Sequence, residues 1–121
     1  MKVVIIDDEL ALLKMYSMAL TSAGMEVVTA SDGLAGLEIV KEQKPDIVLL
    51  DIIMPKCNGL DILKTIKENP EIKDIPVVLL TNLPKECSEE KAKELGAIGY
   101  NVKAQTEPAE VVNIVNNALK K

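Results

Sequence analysis

Short apolar runs alternate along the chain with longer segments of helical periodicity. The clearest runs are VVII at residues 3–6, IVLL at 47–50 and VVLL at 77–80. They are too short for buried helices and lack polar alternation, which is typical of strands covered on both faces. The predicted strands are Lys2–Ile6, Glu26–Ala30, Asp46–Leu50, Pro76–Leu80 and Ile98–Val102.

The segments between these runs are predicted to be helices. Their expected bounds are Leu10–Ala23, Gly33–Gln43, Leu60–Asn69, Glu86–Leu95 and Pro108–Lys120. Gly24 and Gly96 follow two of these helices, where a left-handed C-terminal cap is expected. Pro108 suits the first turn of the last helix, and Thr106 is its expected N-cap.

Five strands that alternate with five helices predict parallel strands joined by right-handed helical crossovers. The expected fold is a doubly wound α/β domain, with one parallel sheet between two helical layers. The 121 residues suffice for one domain with its own core, so residues 1–121 are expected to be a single domain. Because Phe and Trp are absent, that core must be largely aliphatic.

Polar residues stand at the carboxyl ends of four predicted strands. These residues are the triplet Asp7-Asp8-Glu9, Asp51, Thr81-Asn82 and Lys103. The carboxyl ends of parallel strands meet at one edge, where ligands of open α/β sheets bind. A single Asp at such a place is usually a turn residue or a helix cap. Polar residues at the ends of four apolar strands instead favour a ligand-binding site.

The charges expected at this edge favour a cation. Two carboxylates ~4 Å apart repel by about 4 kcal/mol at an effective dielectric constant near 20. His is absent from the chain, and a set of oxygen ligands selects a hard ion such as Mg²⁺. A cation and the Lys103 ammonium facing one carboxylate nucleophile would suit phosphoryl transfer.

Composition excludes several other classes of function. The net charge of −5 argues against direct binding to nucleic acid or to an anionic membrane. No apolar run approaches the roughly 18 residues of a membrane span, and no signal peptide opens the chain, so a cytoplasmic location is expected. Nucleotide-binding glycine motifs are absent. Cys57 and Cys87 are expected to be reduced thiols.

Four segments resemble successive motifs of the receiver domain of two-component response regulators. They are VVIIDDE, DIVLLDIIMPKCNGLDIL, IPVVLLTN and ELGAIGYNVKA, and the resemblance covers essentially the whole chain. It implies a flavodoxin-like fold with five helices and strand order 2-1-3-4-5. It also implies a phosphorylation-dependent signalling switch that is not an enzyme beyond its own phosphotransfer and dephosphorylation.

The resemblance assigns roles at the expected metal site. Asp51 would accept a phosphoryl group from a sensor histidine kinase or a phosphotransfer protein. Asp8 and Asp51 would bind Mg²⁺ directly, together with the backbone carbonyl of Ile53. Asp7 would support the ion through water. Glu9 is instead expected to begin the first helix, where its charge suits the helix dipole.

Other matching positions imply a switch. Thr81 and Lys103 would bind phosphoryl oxygens. Tyr100 matches the aromatic switch position, which moves with Thr81 and reshapes the surface of the fourth helix, fifth strand and fifth helix. Gly59 would help to shape the loop after the third strand.

Three residues depart from the pattern that the chain resembles. Ala104 follows the lysine where proline is usual, so no cis peptide bond is expected there. Asn82 follows Thr81 where a smaller residue is common, which would narrow access to the phosphoryl group. Ile53 cannot position an attacking water through its apolar side chain, so a long-lived phosphoryl group is expected.

The first predicted helix, LALLKMYSMAL, is apolar nearly all round, whereas a surface helix needs only one apolar face. Its excess apolar residues, among Ala11, Leu12, Leu13 and Met15, could dock a kinase, or most of them could belong to the core. The sequence ends at Lys121, so the expected output is through a downstream protein or a missing output domain. The expected state is a monomer or a phosphorylation-dependent dimer.

Two alternatives remain open at this point. A metal-dependent phosphohydrolase could use Asp51 as its nucleophile, although the chain has no insertion long enough for a substrate-enclosing cap. A receiver-like module that binds partners without being phosphorylated is the other alternative. The full set of acidic, Thr and Lys positions argues against it.

Overall fold

The predicted strands form one parallel sheet in the computed structural model, which describes residues 1–120. Numbered within the sheet, they are β1 Lys2–Ile6, β2 Glu26–Ala30, β3 Ile47–Leu50, β4 Val77–Thr81 and β5 Gly99–Val102. Their order is β2-β1-β3-β4-β5, and every neighbouring pair is parallel. The predicted order 2-1-3-4-5 is therefore confirmed.

Helices cover both faces of the sheet. They are α1 Leu10–Ser22, α2 Gly33–Gln43, α3 Gly59–Glu68, α4 Lys85–Glu94 and α5 Pro108–Leu119. Successive residues of a strand point to opposite faces. In β1, Val3 and Ile5 accordingly pack with α1 and α5, whereas Val4 and Ile6 pack with α2, α3 and α4. The continuous apolar runs follow from burial on both faces.

Both predicted glycine caps are present. Gly24 and Gly96 have φ values of +90° and +104°. After α1, the N–H of Gly24 donates to the carbonyl of Thr21 at 3.0 Å, and the N–H of Met25 donates to that of Leu20 at 3.1 Å. This pair of hydrogen bonds satisfies carbonyls that the end of a helix leaves free.

The predicted N-cap of α5 is wrong. Thr106 instead donates its hydroxyl to the carbonyl of Val102 at 2.8 Å, which closes the turn before the helix. Glu107 is the N-cap, and its N–H donates to the carboxylate of Glu110 at 3.2 Å. Thr106 is thus already used by the preceding turn, which sequence periodicity does not indicate.

Two short elements were not predicted because they are too short to show periodicity. One is an antiparallel hairpin that pairs Ile53–Met54 with Cys57–Asn58, and Lys56 in its turn has a φ of +60°. The other is a 3₁₀ turn over Lys103–Gln105. Both follow strands at the carboxyl edge of the sheet.

Helix α1 presents its apolar residues on two sides. Leu13, Tyr16 and Leu20 are buried in the core, so Leu13 cannot belong to a docking surface. Met15 and Met18 are 47% and 61% exposed. Among residues 1–120, no helix combines the length and the apolar character that crossing a bilayer requires.

Gly59 lies against the backbone that follows β3. Its N–H donates to the carbonyl of Ile52 at 2.7 Å. A Cβ atom at this position would lie 2.0 Å from the carbonyl oxygen of Asp51 and 2.7 Å from the Cα of Ile52. Only glycine lets α3 start this close to Asp51.

We expect Gly59→Ala to lower the free energy of unfolding by more than about 2 kcal/mol, because the new methyl group overlaps backbone atoms that cannot move independently. Urea denaturation measures this change. The control is Gly24→Ala, where a Cβ has open space and only the left-handed backbone conformation costs about 1 kcal/mol. Equal losses in the two variants would contradict the packing argument.

Candidate functional site

Two aspartates continue neighbouring strands by one residue. Asp7 follows β1 and Asp51 follows β3, and these strands are paired up to Ile6 and Leu50. The N–H of Asp7 donates to the carbonyl of Ala30, and that of Asp51 donates to the carbonyl of Ile6, each at 3.0 Å. The sheet therefore fixes the backbone of both residues, and their side chains are buried at its carboxyl edge.

Lys103 follows β5 and reaches across the edge of the sheet to these aspartates. Its Nζ lies 3.0 Å from Asp7 Oδ2 and 2.9 Å from Asp51 Oδ2. It also lies 2.6 Å from Glu9 Oε1. An ammonium can be buried here because these carboxylates replace the water that it loses.

Burial and neighbouring charges shift the pKa values of Asp7 and Lys103. Burial raises the pKa of the Asp7 carboxyl above its ordinary value, although the backbone N–H of Glu9 and the Lys103 ammonium act in the opposite direction. Burial lowers the pKa of Lys103, but hydrogen bonds to Glu9, Asp51 and Asp7 outweigh burial and raise that pKa overall. Lys103 is therefore a permanent cation at physiological pH.

Three carboxylates could share a metal ion. Asp7, Asp8 and Asp51 each offer an oxygen, and these oxygens lie within 4.8 Å of one another. Six oxygens around Mg²⁺ at 2.0–2.1 Å are separated by about 2.9 to 4.2 Å from one another. The three carboxylates therefore fit this ion if their oxygens move slightly closer together. Asp8 and Asp51 also line a cavity at this edge of the sheet, whereas the buried Asp7 is not among its lining residues.

A cavity of about 230 Å³ opens at this edge of the sheet. Its lining residues are Asp8, Glu9, Asp51, Ile53, Thr81, Asn82 and Lys103. The Thr81 hydroxyl stands at the end of β4 and accepts the N–H of Leu83 at 3.4 Å. Since a water molecule takes about 30 Å³ of liquid, the cavity has room for a tetrahedral anion and several waters.

Asn82 and Ala104, two of the residues that depart from the receiver pattern, contact each other. The side-chain oxygen of Asn82 accepts the N–H of Ala104 at 2.9 Å. A proline at position 104 would have no N–H to donate, and it would disfavour the helical conformation that Lys103 adopts in the 3₁₀ turn. The contact joins the loop after Thr81 to the loop that holds Lys103.

Tyr100 is connected to Thr81 through the backbone of Leu83. The Tyr100 hydroxyl donates to the carbonyl of Leu83 at 2.9 Å and also contacts the Ser88 hydroxyl. The N–H of Leu83 is the group that donates to Thr81. Tyr100 is buried, and this burial raises its pKa. The two expected switch residues thus share one short connecting segment.

Sequence reasoning missed the contact made by Glu9. This residue is the N-cap of α1, but its side chain makes no capping hydrogen bond and binds Lys103 instead. The expectation that Glu9 begins the first helix is confirmed, and its carboxylate in addition contacts Lys103. Its position directly after two site aspartates was the signal that could have indicated this contact.

Comparisons with known proteins agree with this geometry. The model of the response regulator receiver domain matches residues 3–116. The probable transcriptional regulator ycf27 of Guillardia theta is 39% identical over 102 residues, which are 84% of this chain and 39% of that protein. The chain spans less than half the length of the ycf27 proteins that it matches.

Solved structures give the same assignment. The chemotaxis protein CheY4 of Vibrio cholerae superposes with a TM-score of 0.90 at 29% identity, covering 98% of each chain. The BeF₃-activated N-terminal receiver domain of Klebsiella pneumoniae RstA has a TM-score of 0.90 at 28% identity, covering 100% of each chain. The chain belongs to the response regulator receiver domains, the signalling switches of two-component systems.

Proposed function

We propose that this receiver domain is phosphorylated on Asp51 by a sensor histidine kinase or a phosphotransfer protein, in the presence of Mg²⁺. One observation carries the proposal. The buried Asp51 carboxylate borders a cavity of small-anion size and has the Lys103 ammonium 2.9 Å away. A permanent cation beside a fixed carboxylate supports the transfer of an anionic group to that carboxylate.

The transfer would be a displacement at phosphorus. An oxygen of Asp51 attacks phosphorus, and the new P–O bond forms as the P–N bond of a phosphohistidine breaks. Lys103 and the Thr81 hydroxyl would donate to the phosphoryl oxygens. Mg²⁺ would neutralise further charge there, bound by Asp8, Asp51 and the carbonyl of Ile53, with Asp7 acting through water.

The hydrogen bonds around Leu83 support the switch role. If the Thr81 hydroxyl turns to a phosphoryl oxygen, it gives up the N–H of Leu83, and the carbonyl of Leu83 holds Tyr100. The change would therefore reach the surface formed by α4, β5 and α5. A downstream protein or an output domain, or a second copy of the domain, would read that surface.

Asp51→Asn should abolish phosphorylation, because an amide oxygen is a poor nucleophile. The measurement is the mass of the protein after incubation with acetyl phosphate and Mg²⁺, where the parent gains one acid-stable, base-labile phosphoryl group. Asp74→Asn, which removes an exposed carboxylate, is the control and should behave like the parent. A label that persists undiminished in Asp51→Asn, or never forms in the parent, would refute the proposal. Turnover of free phosphate esters by the parent would instead favour a phosphohydrolase.

Mg²⁺ should stabilise the folded parent by about 2.7 kcal/mol at a concentration one hundred times its dissociation constant. The reason is that the ion relieves repulsion among Asp7, Asp8 and Asp51 in the folded state only. Thermal unfolding with Mg²⁺ and with EDTA measures this difference. Asp8→Asn should lose most of it, whereas Asp74→Asn should keep it. An equal response of both variants would exclude the carboxylate cluster as the metal site.

Ile53→Asn should speed dephosphorylation roughly tenfold, an effect of about 1.4 kcal/mol on the barrier. Ile53 is 60% exposed beside the cavity, and an amide there could hold the attacking water. The measurement is the decay of the phosphorylated mass after removal of acetyl phosphate. Ile53→Val keeps the site apolar and should decay like the parent. An unchanged or slower decay of Ile53→Asn would count against the predicted long-lived phosphoryl group.

A further inference from the structure

Every donor of the Lys103 ammonium is engaged before any phosphoryl group arrives. A lysine ammonium has three N–H donors. In this structure its three acceptors are Asp7 Oδ2 at 3.0 Å, Asp51 Oδ2 at 2.9 Å and Glu9 Oε1 at 2.6 Å. An anion that needs Lys103 must therefore replace one of these carboxylates.

The three carboxylates differ in how firmly they are held. The Asp7 side chain is 4% exposed, and its Oδ1 accepts the N–H of Glu9 at 2.9 Å. The Asp51 side chain is also 4% exposed, and its Oδ1 accepts the N–H of Ile52 at 2.7 Å. The Glu9 side chain is 49% exposed, and Lys103 is its only hydrogen-bond partner within residues 1–120. Water can therefore solvate Glu9 if it leaves.

Glu9 also stands where an arriving anion would lie. It lines the same cavity as Asp51 and Lys103. A phosphoryl oxygen on Lys103 would come close to the Glu9 carboxylate, and these like charges repel. The bond from Lys103 to Asp51, by contrast, keeps the ammonium beside the reacting carboxylate.

We propose that Glu9 is a displaceable counter-ion that positions Lys103 and competes with the phosphoryl group for it. In the resting domain it completes the coordination of the buried ammonium. When the phosphoryl group binds, Glu9 swings into solvent and leaves one donor free. This inference rests on the proposed phosphorylation of Asp51 and adds a residue that acts on it through Lys103.

Two variants separate the contact from the charge. Glu9→Gln keeps the length of the side chain and an acceptor oxygen but removes the charge. Glu9→Asp keeps the charge but is one methylene shorter, and an Asp at an N-cap is drawn to the backbone N–H groups of the first turn. If the contact with Lys103 matters, both variants weaken the hold on the ammonium, since a hydrogen bond to a neutral amide oxygen is weaker than one to a carboxylate. If only the negative field matters, Glu9→Asp behaves like the parent.

The experiment titrates the Mg²⁺-saturated protein with beryllofluoride, which becomes tetrahedral when an Asp51 oxygen binds the beryllium, and follows backbone amide NMR signals. Both variants should bind about fivefold more tightly than the parent, which corresponds to the loss of one partly exposed ion pair. Their rates of phosphorylation by acetyl phosphate should rise by a similar factor. The free energy of unfolding, measured in parallel, reports any purely structural effect.

The outcomes are distinguishable. A parent that is phosphorylated on Asp51, with variants that bind the anion no more tightly, overturns this inference and leaves the proposed function standing. Tighter binding by Glu9→Gln alone also overturns it, because charge without contact would then explain the effect. A parent that takes up neither beryllofluoride nor a phosphoryl group overturns both. Should Glu9→Gln fail to fold, Glu9→Asp still tests the contact. Should Glu9→Asp fail to fold, unchanged binding by Glu9→Gln still overturns the inference.

Discussion

The buried ion cluster around Lys103 is the interaction on which the site depends. Asp7 and Asp51 repel each other at the ends of adjacent strands, and burial disfavours their charged forms. They stay in place because β1 and β3 are buried on both faces, with Ile6 and Leu50 fully covered directly before them. The hydrophobic core thus holds a charge arrangement that is unstable by itself, and Lys103 offsets only part of it.

Because carboxylate repulsion is only partly offset by Lys103, a change of charge at the site alters its hydrogen bonds. Neither Thr81 nor Lys103 is isolated, since Thr81 binds the N–H of Leu83 and Lys103 shares its donors among three carboxylates. A group that binds both must break existing hydrogen bonds on two loops. The carbonyl of Leu83 accepts the Tyr100 hydroxyl, so one backbone segment connects Thr81 with Tyr100. Local charge changes of this kind are a general means of switching.

The sequence was sufficient for features that depend on periodicity or on strand ends. The sheet order, the glycine cap at Gly24 and the meeting of Asp7, Asp51 and Lys103 at one edge all follow from such patterns. The N-cap of α5 and the contact of Glu9 did not follow. Each depends on which neighbour a polar side chain finds in three dimensions, and a local pattern contains no information on that choice.

Asn82 and Ala104, which both depart from the residues usual in receiver domains, form one hydrogen bond with each other. A proline after Lys103 would restrict the loop locally, an effect of about 0.4–1 kcal/mol through the unfolded chain. The hydrogen bond between Asn82 and Ala104 contributes a similar amount, about 1 kcal/mol. Its acceptor, Asn82, belongs to the loop after β4 and not to the loop of Lys103. Asn82, the residue next to Thr81, therefore holds the backbone directly after Lys103. The loops that carry Thr81 and Lys103 are joined by a hydrogen bond that a proline at position 104 could not donate.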